Sequence, residues 1–172
     1  MSRKAVFCGS FDPPTIGHGW LLTEGARLFD ELIVLVGTNP AKRHLFRAED
    51  RCGFVEKMTA RLPNVSVHTL EDRYLVQFAA VHGAGYLLRS MRSEADAPYE
   101  IGMRHINSML DIGIQTVFLV PPAELSFISS TMVKTLFGPC GWEKHMRPFL
   151  PREAAECIIE KMRETLESRR DA

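Results

Sequence analysis

The chain has 172 residues, with 21 Lys and Arg set against 21 Asp and Glu and 45% hydrophobic residues. At this length a globular chain buries roughly 70% of the surface its unfolded form exposes, so one self-sufficient domain over residues 1–172 is expected, needing no metal or disulfide as a staple. Zero net charge argues against a general polyanion binder, because non-specific affinity for nucleic acid comes from surplus cations that release counterions. Cys8, Cys52, Cys140 and Cys157 show neither CxxC spacing nor histidines at metal-ligand intervals, so reduced, mostly buried thiols are expected. The longest strongly apolar run, Leu32 to Val36, is far below the roughly 20 residues that cross a bilayer, and the N-terminus has no basic segment leading into an apolar one. A cytoplasmic protein without membrane partners is the expectation.

Lys4 to Cys8 opens the chain as a short aliphatic run and reads as a strand. Gly17 to Phe29 follows with Leu21, Leu22, Ala26 and Phe29 at helical intervals. The same alternation continues with a strand at Leu32 to Val36, a helix at Ala48 to Leu62, a strand at Val65 to Thr69 and a helix at Leu75 to Val81. A strand at Tyr86 to Leu88, a helix at Asp96 to Leu110 and a strand at Thr116 to Val120 complete the pattern. The runs Leu32 to Val36 and Val117 to Val120 are nearly continuous aliphatics, as in strands buried on both faces, so the sheet should be mostly parallel. The expected fold is therefore α/β, a Rossmann-like, doubly wound, five-stranded sheet, with ligands beyond the carboxyl ends of its strands where the strand order reverses.

Phe137 to Pro151 concentrates Gly138, Pro139, Gly141, Pro148 and Pro151 and reads as a loop. Pro151 suits the first turn of a C-terminal helix running from Arg152 to about Ser168, whose Glu156, Glu160 and Glu164 share a solvated face. A packing role is the expectation for this helix.

The most informative segment is Cys8-Gly9-Ser10-Phe11-Asp12-Pro13-Pro14-Thr15-Ile16-Gly17-His18, between the first strand and the first helix. Such a turn aims backbone N–H groups and the positive end of a helix dipole at an anion, and Gly9 and Gly17 allow close approach. It has neither the GxxxxGK(S/T) spacing of a P-loop nor the GxGxxG of a dinucleotide fingerprint. A second strand-end segment, Phe127-Ile128-Ser129-Ser130-Thr131-Met132-Val133-Lys134, places hydroxyls where they can cap a helix or donate to phosphates. The apolar run Tyr86-Leu87-Leu88 stops at Arg89-Ser90-Met91-Arg92, and guanidinium forks at a strand end suit phosphate.

These residues carry a resemblance. Gly9, Ser10, Phe11, Asp12, Pro13, Thr15, Gly17 and His18 match the G-(T/S)-FD-P-x-(T/H)-x-GH hallmark of the nucleotidylyltransferase superfamily, and Ile128 to Lys134 resembles its ISSTxVR or ISSSxVK segment. Arg89, Arg92, Tyr99, Glu100 and Asn107 resemble the (I/V)RGLR…D(F/Y)xYE…N stretch of phosphopantetheine adenylyltransferases. Asn39 to Phe46 is similar to that family's (N/S)PxKxxxF, with Lys42 on the lysine, and Pro148 to Pro151 resembles its FLP entry to the last helix. Three positions depart from the pattern: Ser90 stands for the usual Gly, Leu125 for an aromatic, and Glu71 to Leu75 for a GLL-type segment.

The resemblance implies transfer of AMP from ATP to 4′-phosphopantetheine, giving dephospho-coenzyme A and pyrophosphate by direct attack on the α-phosphorus. It implies catalytic roles for His18, Lys42 and Arg92. Ser10, Phe11, Gly17, His18, Arg92, Glu100, Ser129, Ser130 and Thr131 would bind nucleotide; Ser10, Lys42, Leu75, Arg89 and Asn107 would bind the acceptor, with Asp72 a further candidate for its arm. Mg2+ is expected as cofactor through substrate oxygens, with no dedicated protein ligands, and a homohexamer as assembly. Two alternatives stand beside this reading: a sister enzyme using nicotinamide mononucleotide, or CTP with an alcohol phosphate, and a non-catalytic nucleotide-binding regulator.

Overall fold

The computed structural model describes residues 2–38, 43–70, 74–110 and 113–170, the side chains of 168–170 excepted. Five parallel strands, β1 (Lys4–Gly9), β2 (Glu31–Gly37), β3 (Val65–Leu70), β4 (Tyr86–Ser90) and β5 (Gln115–Leu119), form one sheet in the order β3-β2-β1-β4-β5. The crossovers are α1 (Ile16–Leu28), α2 (Ala48–Thr59), α3 (Leu75–Val81) and α4 (Ala97–Leu110). The expected doubly wound sheet is therefore present, and its order reverses between β1 and β4.

The side-chain alternation of a strand divides the aliphatic runs between two cores. Ala5, Phe7, Leu32, Val34, Val36 and Leu88 pack with Leu21 and Leu22 of α1 and Val55 of α2. Val6, Ile33, Leu35 and Leu87 pack on the other face with Val76, Phe78 and Ala79 of α3. Helix α1 lies close to the sheet because Gly25 leaves room: a Cβ there would sit 2.6 Å from Leu88 Cδ2.

The far edge departs from expectation. Val117 to Val120 does not form a strand buried on both faces; β5 ends at Leu119, its residues are partly or fully exposed, and Val120 is 67% exposed. The strand order puts β5 at an edge, and α4, the helix that leads into it, contains no buried residue.

The segment Phe137 to Pro151 is also more than a loop, since α7 (Trp142–Met146) and a 3-10 turn (Arg147–Phe149) lie within it, after the short α5 (Ala123–Ser126) and α6 (Ser130–Thr135). Burial of Trp142 and Met146 overrides the glycines and prolines around them. The last helix, α8 (Ala155–Arg170), starts later than expected, and Pro151 precedes a turn instead of occupying its first turn. Its Ala155, Ile158, Ile159 and Met162 join Phe46, Phe54, Trp142 and Met146 in a third core, while Glu156, Glu160 and Glu164 face solvent. The thiols are less enclosed than expected: Cys8, Cys52 and Cys157 are half-buried and Cys140 is exposed, all four free. No described helix is long and apolar enough to cross a membrane.

Candidate active site

A cleft of about 730 Å³ opens at the carboxyl ends of β1 and β4, where the strand order reverses. Ser10, Phe11, Gly17, His18, Arg89, Arg92, Glu100, Ser129, Ser130 and Thr131 all line it. Segments far apart in sequence thus meet at the place that parallel-sheet topology selects for ligands.

The turn after β1 is fixed from within. Phe11, fully buried, adopts φ 49°, a left-handed conformation uncommon for a residue with a side chain. Its ring stands edge-on to Phe7 with centroids 5.8 Å apart and lies 5.0 Å from the His18 ring. Gly9 fits closely beside it: a Cβ there would fall 3.1 Å from Phe11 Cε2, tighter than an ordinary contact. At Gly17 the nearest atom to an added Cβ is Thr15 Oγ1 at 3.5 Å, so that glycine leaves space in the cleft and not against the protein.

Asp12 is the anchor of this turn. Its carboxylate, 2% exposed, accepts the backbone N–H groups of Leu45 and Phe46, each at 3.0 Å, and pairs with Lys134 Nζ at 3.1 Å. His44 Nδ1 lies 3.8 Å from it. One buried charge therefore joins the first motif, the segment before α2 and the second motif. Ser130 Oγ adds a further tie by donating to the Pro13 carbonyl at 2.8 Å.

His18 occupies the first turn of α1 with its ring turned back on the helix start. The Thr15 backbone N–H donates to Nδ1 at 3.1 Å, and the Thr15 hydroxyl lies 2.9 Å from the same nitrogen. With Nδ1 an acceptor, the ring proton resides on Nε2. Burial, helped by the nearby Arg92 charge, lowers the imidazole from 6.5 to about 4. His18 is thus a neutral N–H donor at ordinary pH.

Arg89 and Glu100 form a two-pronged ion pair, Nε to Oε2 at 2.7 Å and Nη2 to Oε1 at 2.8 Å. Burial opposes the Arg89 charge, but the hydrogen bonds and charge of Glu100 outweigh it and hold the guanidinium above its ordinary value. Burial also pushes the Cys8 thiol up, against the pull of Arg89. Arg92 is more exposed and is held by Asp96, through its backbone N–H at 3.0 Å and Nε at 3.2 Å. Burial raises the Asp96 carboxyl, and these bonds to Arg92 more than offset it, leaving a net lowering.

The remaining sequence candidates separate. Ser129 caps α6 by accepting from Met132 N–H at 3.1 Å, whereas Thr131 is exposed on the cleft. Leu75 begins α3 and packs against the core of Val6, Leu35 and Val76, and Asn107 lies further along α4 than Glu100; neither is a lining residue. Lys42 and Asp72 lie outside the described residues. The cleft also contains residues absent from the sequence-based site, namely Lys134, Arg43, His44, Thr15, Asp12 and Tyr99. Lys134 and Asp12 stood within the two motifs; only their contact across the fold marks them as partners.

A cleft of about 730 Å³ lined by Arg43, Arg89, Arg92 and Lys134 at the switch point of a parallel doubly wound sheet, with an N–H donor on its first helix, is the architecture of a nucleotidyltransferase. Residues 6–136 match the cytidylyltransferase-like family model. The chain is 45% identical over 157 residues to a phosphopantetheine adenylyltransferase of Neisseria meningitidis serogroup C, covering 91% of this chain and 92% of that one. It is 46% identical over 149 residues to one from Chromobacterium violaceum, covering 87% and 91%. Among solved structures, the nicotinic acid mononucleotide adenylyltransferase of Plasmodium falciparum complexed with NaAD shares the fold, with a TM-score of 0.67 at 15% identity over 93% of this chain and 96% of that one. The chain belongs to the cytidylyltransferase-like family and, within it, to the phosphopantetheine adenylyltransferases.

Proposed function

We propose that this protein transfers AMP from ATP to 4′-phosphopantetheine, a step of coenzyme A biosynthesis. The observation that carries the reading is the convergence in one cleft of the His18 donor with Arg89, Arg92 and the second-motif hydroxyls, in a chain so similar to enzymes of that name.

An oxygen of the acceptor phosphate attacks the α-phosphorus; the new P–O bond forms as the bond to the β-phosphate bridging oxygen breaks, and pyrophosphate departs. The acceptor oxygen is already anionic, so the work of the protein is alignment and charge stabilisation. His18 donates Nε2–H to an α-phosphate oxygen. Its bond from Thr15 fixes the tautomer, and its lowered basicity keeps it a donor without adding a full charge. Arg89 receives the acceptor phosphate, held in orientation by Glu100. Arg92, Ser10, Gly17 and the Ser129 to Thr131 segment receive the nucleotide, and Lys42 is assigned the reacting phosphates on motif position alone.

The residues do not fit a protein-built magnesium site. The two carboxylates lining the cleft are committed, Asp12 to Leu45, Phe46 and Lys134 and Glu100 to Arg89. Among the described residues no group of three His, Cys, Asp or Glu side chains is placed to hold an ion. Magnesium accordingly belongs to this proposal as part of the MgATP substrate.

A homohexamer in the cytoplasm completes the proposal. Tyr99, Ile101, Ile106, Met109 and Leu110 leave an exposed apolar surface on α4 that a neighbouring copy would cover, and four free thiols suit a reducing compartment. Light scattering on the purified protein tests the assembly. For the reaction, ATP and CTP are each incubated with phosphopantetheine, nicotinamide mononucleotide and glycerol phosphate, and products are scored by mass. Dephospho-coenzyme A from the first pair supports the proposal; a different pair, or no turnover, replaces it with the corresponding alternative.

A further inference from the structure

Asp12 and Arg51 are the buried charged side chains among the described residues. Asp12 is explained by the contacts above; Arg51, only 1% exposed, is used by no step of the reaction. It projects from the first turn of α2 to the carboxyl edge of the sheet, where Nη1 donates to the Ser10 carbonyl at 2.6 Å and to the Gly37 carbonyl at 2.9 Å. These are the carbonyls at the exits of β1 and β2, one step beyond the last paired residues of β1 and at the end of β2. A single nitrogen therefore clasps two neighbouring strands where both enter the cleft.

Capping two carbonyls does not by itself call for a cation, and burying one is costly unless compensated. Burial does lower the Arg51 guanidinium, against the supporting charge of Asp12. What distinguishes this position is the peptide it holds. Ser10 and Phe11 both line the cleft, and the amide that joins them is planar, so its N–H points opposite to its C=O. Fixing the Ser10 carbonyl toward Arg51 sends the Phe11 N–H the opposite way, away from Arg51, in a segment that lines the cleft. A charged donor on the carbonyl also polarises the peptide and strengthens its N–H as a donor to an anion.

We propose that Arg51 is a positioning residue: by tying the Ser10 carbonyl to the end of β2, it aims the Ser10–Phe11 peptide at a phosphate of the bound nucleotide. The inference rests on the nucleotide reading of the cleft given above.

The test compares the whole wild-type protein with Arg51→Gln, which keeps a two-proton donor without charge, and Arg51→Lys, which keeps the charge. Pyrophosphate and adenosine binding are measured by calorimetry, and kcat and KM for ATP by pyrophosphate release. Arg51→Gln is expected to weaken pyrophosphate and raise KM for ATP about tenfold or more, to change adenosine affinity less than about twofold, and to be partly rescued by Arg51→Lys. Folded variants that bind pyrophosphate as the wild type does, or that lose pyrophosphate and adenosine equally, overturn the proposal. If neither variant folds, the Arg51 Nη–H signals of arginine-labelled wild-type protein are followed as pyrophosphate is added: a shift supports the proposal, and unmoved signals overturn it. A wild-type protein that binds neither pyrophosphate nor ATP removes the nucleotide reading itself, a result distinct from any of these.

Discussion

Arg89 at the end of β4 and Glu100 on α4 lock together through two parallel hydrogen bonds of 2.7 and 2.8 Å, in the wall of the cleft. A resemblance-based assignment gives them separate substrates, one the acceptor phosphate and the other the adenosine. The geometry makes Glu100 the partner that orients the Arg89 fork. Glu100→Gln keeps the shape but halves the pairing and removes the compensating charge. The variant is expected to raise KM for the acceptor about tenfold or more while changing KM for ATP little, with a stability loss of about 1–3 kcal/mol. Steady-state kinetics with both substrates checks this; a change confined to ATP would return Glu100 to the nucleotide side.

His18 gives a prediction of a different kind. Removing a donor that acts on charge developing in the transition state costs about 10²–10³ in kcat, so His18→Ala should lose that much with a small change in KM for ATP. Single-turnover measurements on both proteins decide it, and a kcat near wild type would remove the assigned role.

The lowered basicity of His18 has a thermodynamic signature as well. Its folded value of about 4 lies below its ordinary 6.5, so between these limits the unfolded chain binds a proton that the folded chain refuses. Its contribution to stability is therefore fully present above about pH 6.5 and declines as the pH falls toward about 4. Urea titrations across that range should show a smaller pH-dependent loss in His18→Gln than in wild type. Equal slopes would mean that the imidazole is not desolvated.

Asp12 concentrates stabilisation from three segments. Truncating it leaves Lys134 and two backbone N–H groups without their acceptor, so Asp12→Ala is expected to cost about 3–5 kcal/mol. Lys134→Met removes one of those partners and leaves the carboxylate its backbone donors, so its cost should be distinctly smaller. Chemical denaturation of the two variants checks the order, and a reversal would locate the anchor in the lysine.

The strands and their order of appearance were legible because fully covered parallel strands demand aliphatic residues on both faces, as Leu32 to Val36 shows. The cleft was legible through motifs confined to strand ends, which contain Ser10, His18, Arg89 and Thr131. Contacts between segments were not. Asp12 reaches Leu45 and Lys134, and Arg51 reaches Ser10, through folding alone, and such pairs leave no periodic trace in the chain. The helix at Trp142–Met146 was hidden for a related reason: its stability comes from Trp142 and Met146 packing against α8, while the local glycines and prolines point to a turn. Val117 to Val120 misled in the opposite direction, because an aliphatic run at a sheet edge reads the same as one in the centre.

Gly9 and Gly17 separate a requirement of the fold from a requirement of the ligand. At Gly9 an added methyl meets the Phe11 ring at 3.1 Å, within a turn already held at positive φ, so Gly9→Ala should cost about 1–3 kcal/mol and lower activity with it. At Gly17 the same methyl makes an ordinary contact at 3.5 Å, and inside a helix alanine is favoured over glycine by up to about 1 kcal/mol. Gly17→Ala is therefore expected to be as stable as wild type or more so. If the nucleotide occupies the space that Gly17 leaves in the cleft, the same variant raises KM for ATP about tenfold or more, since a rigid backbone cannot retreat from the methyl. Thermal unfolding therefore separates the two variants: Gly9→Ala loses stability and activity together, whereas Gly17→Ala keeps its stability while its KM for ATP rises. A Gly17→Ala enzyme with unchanged KM would place the nucleotide elsewhere in the cleft.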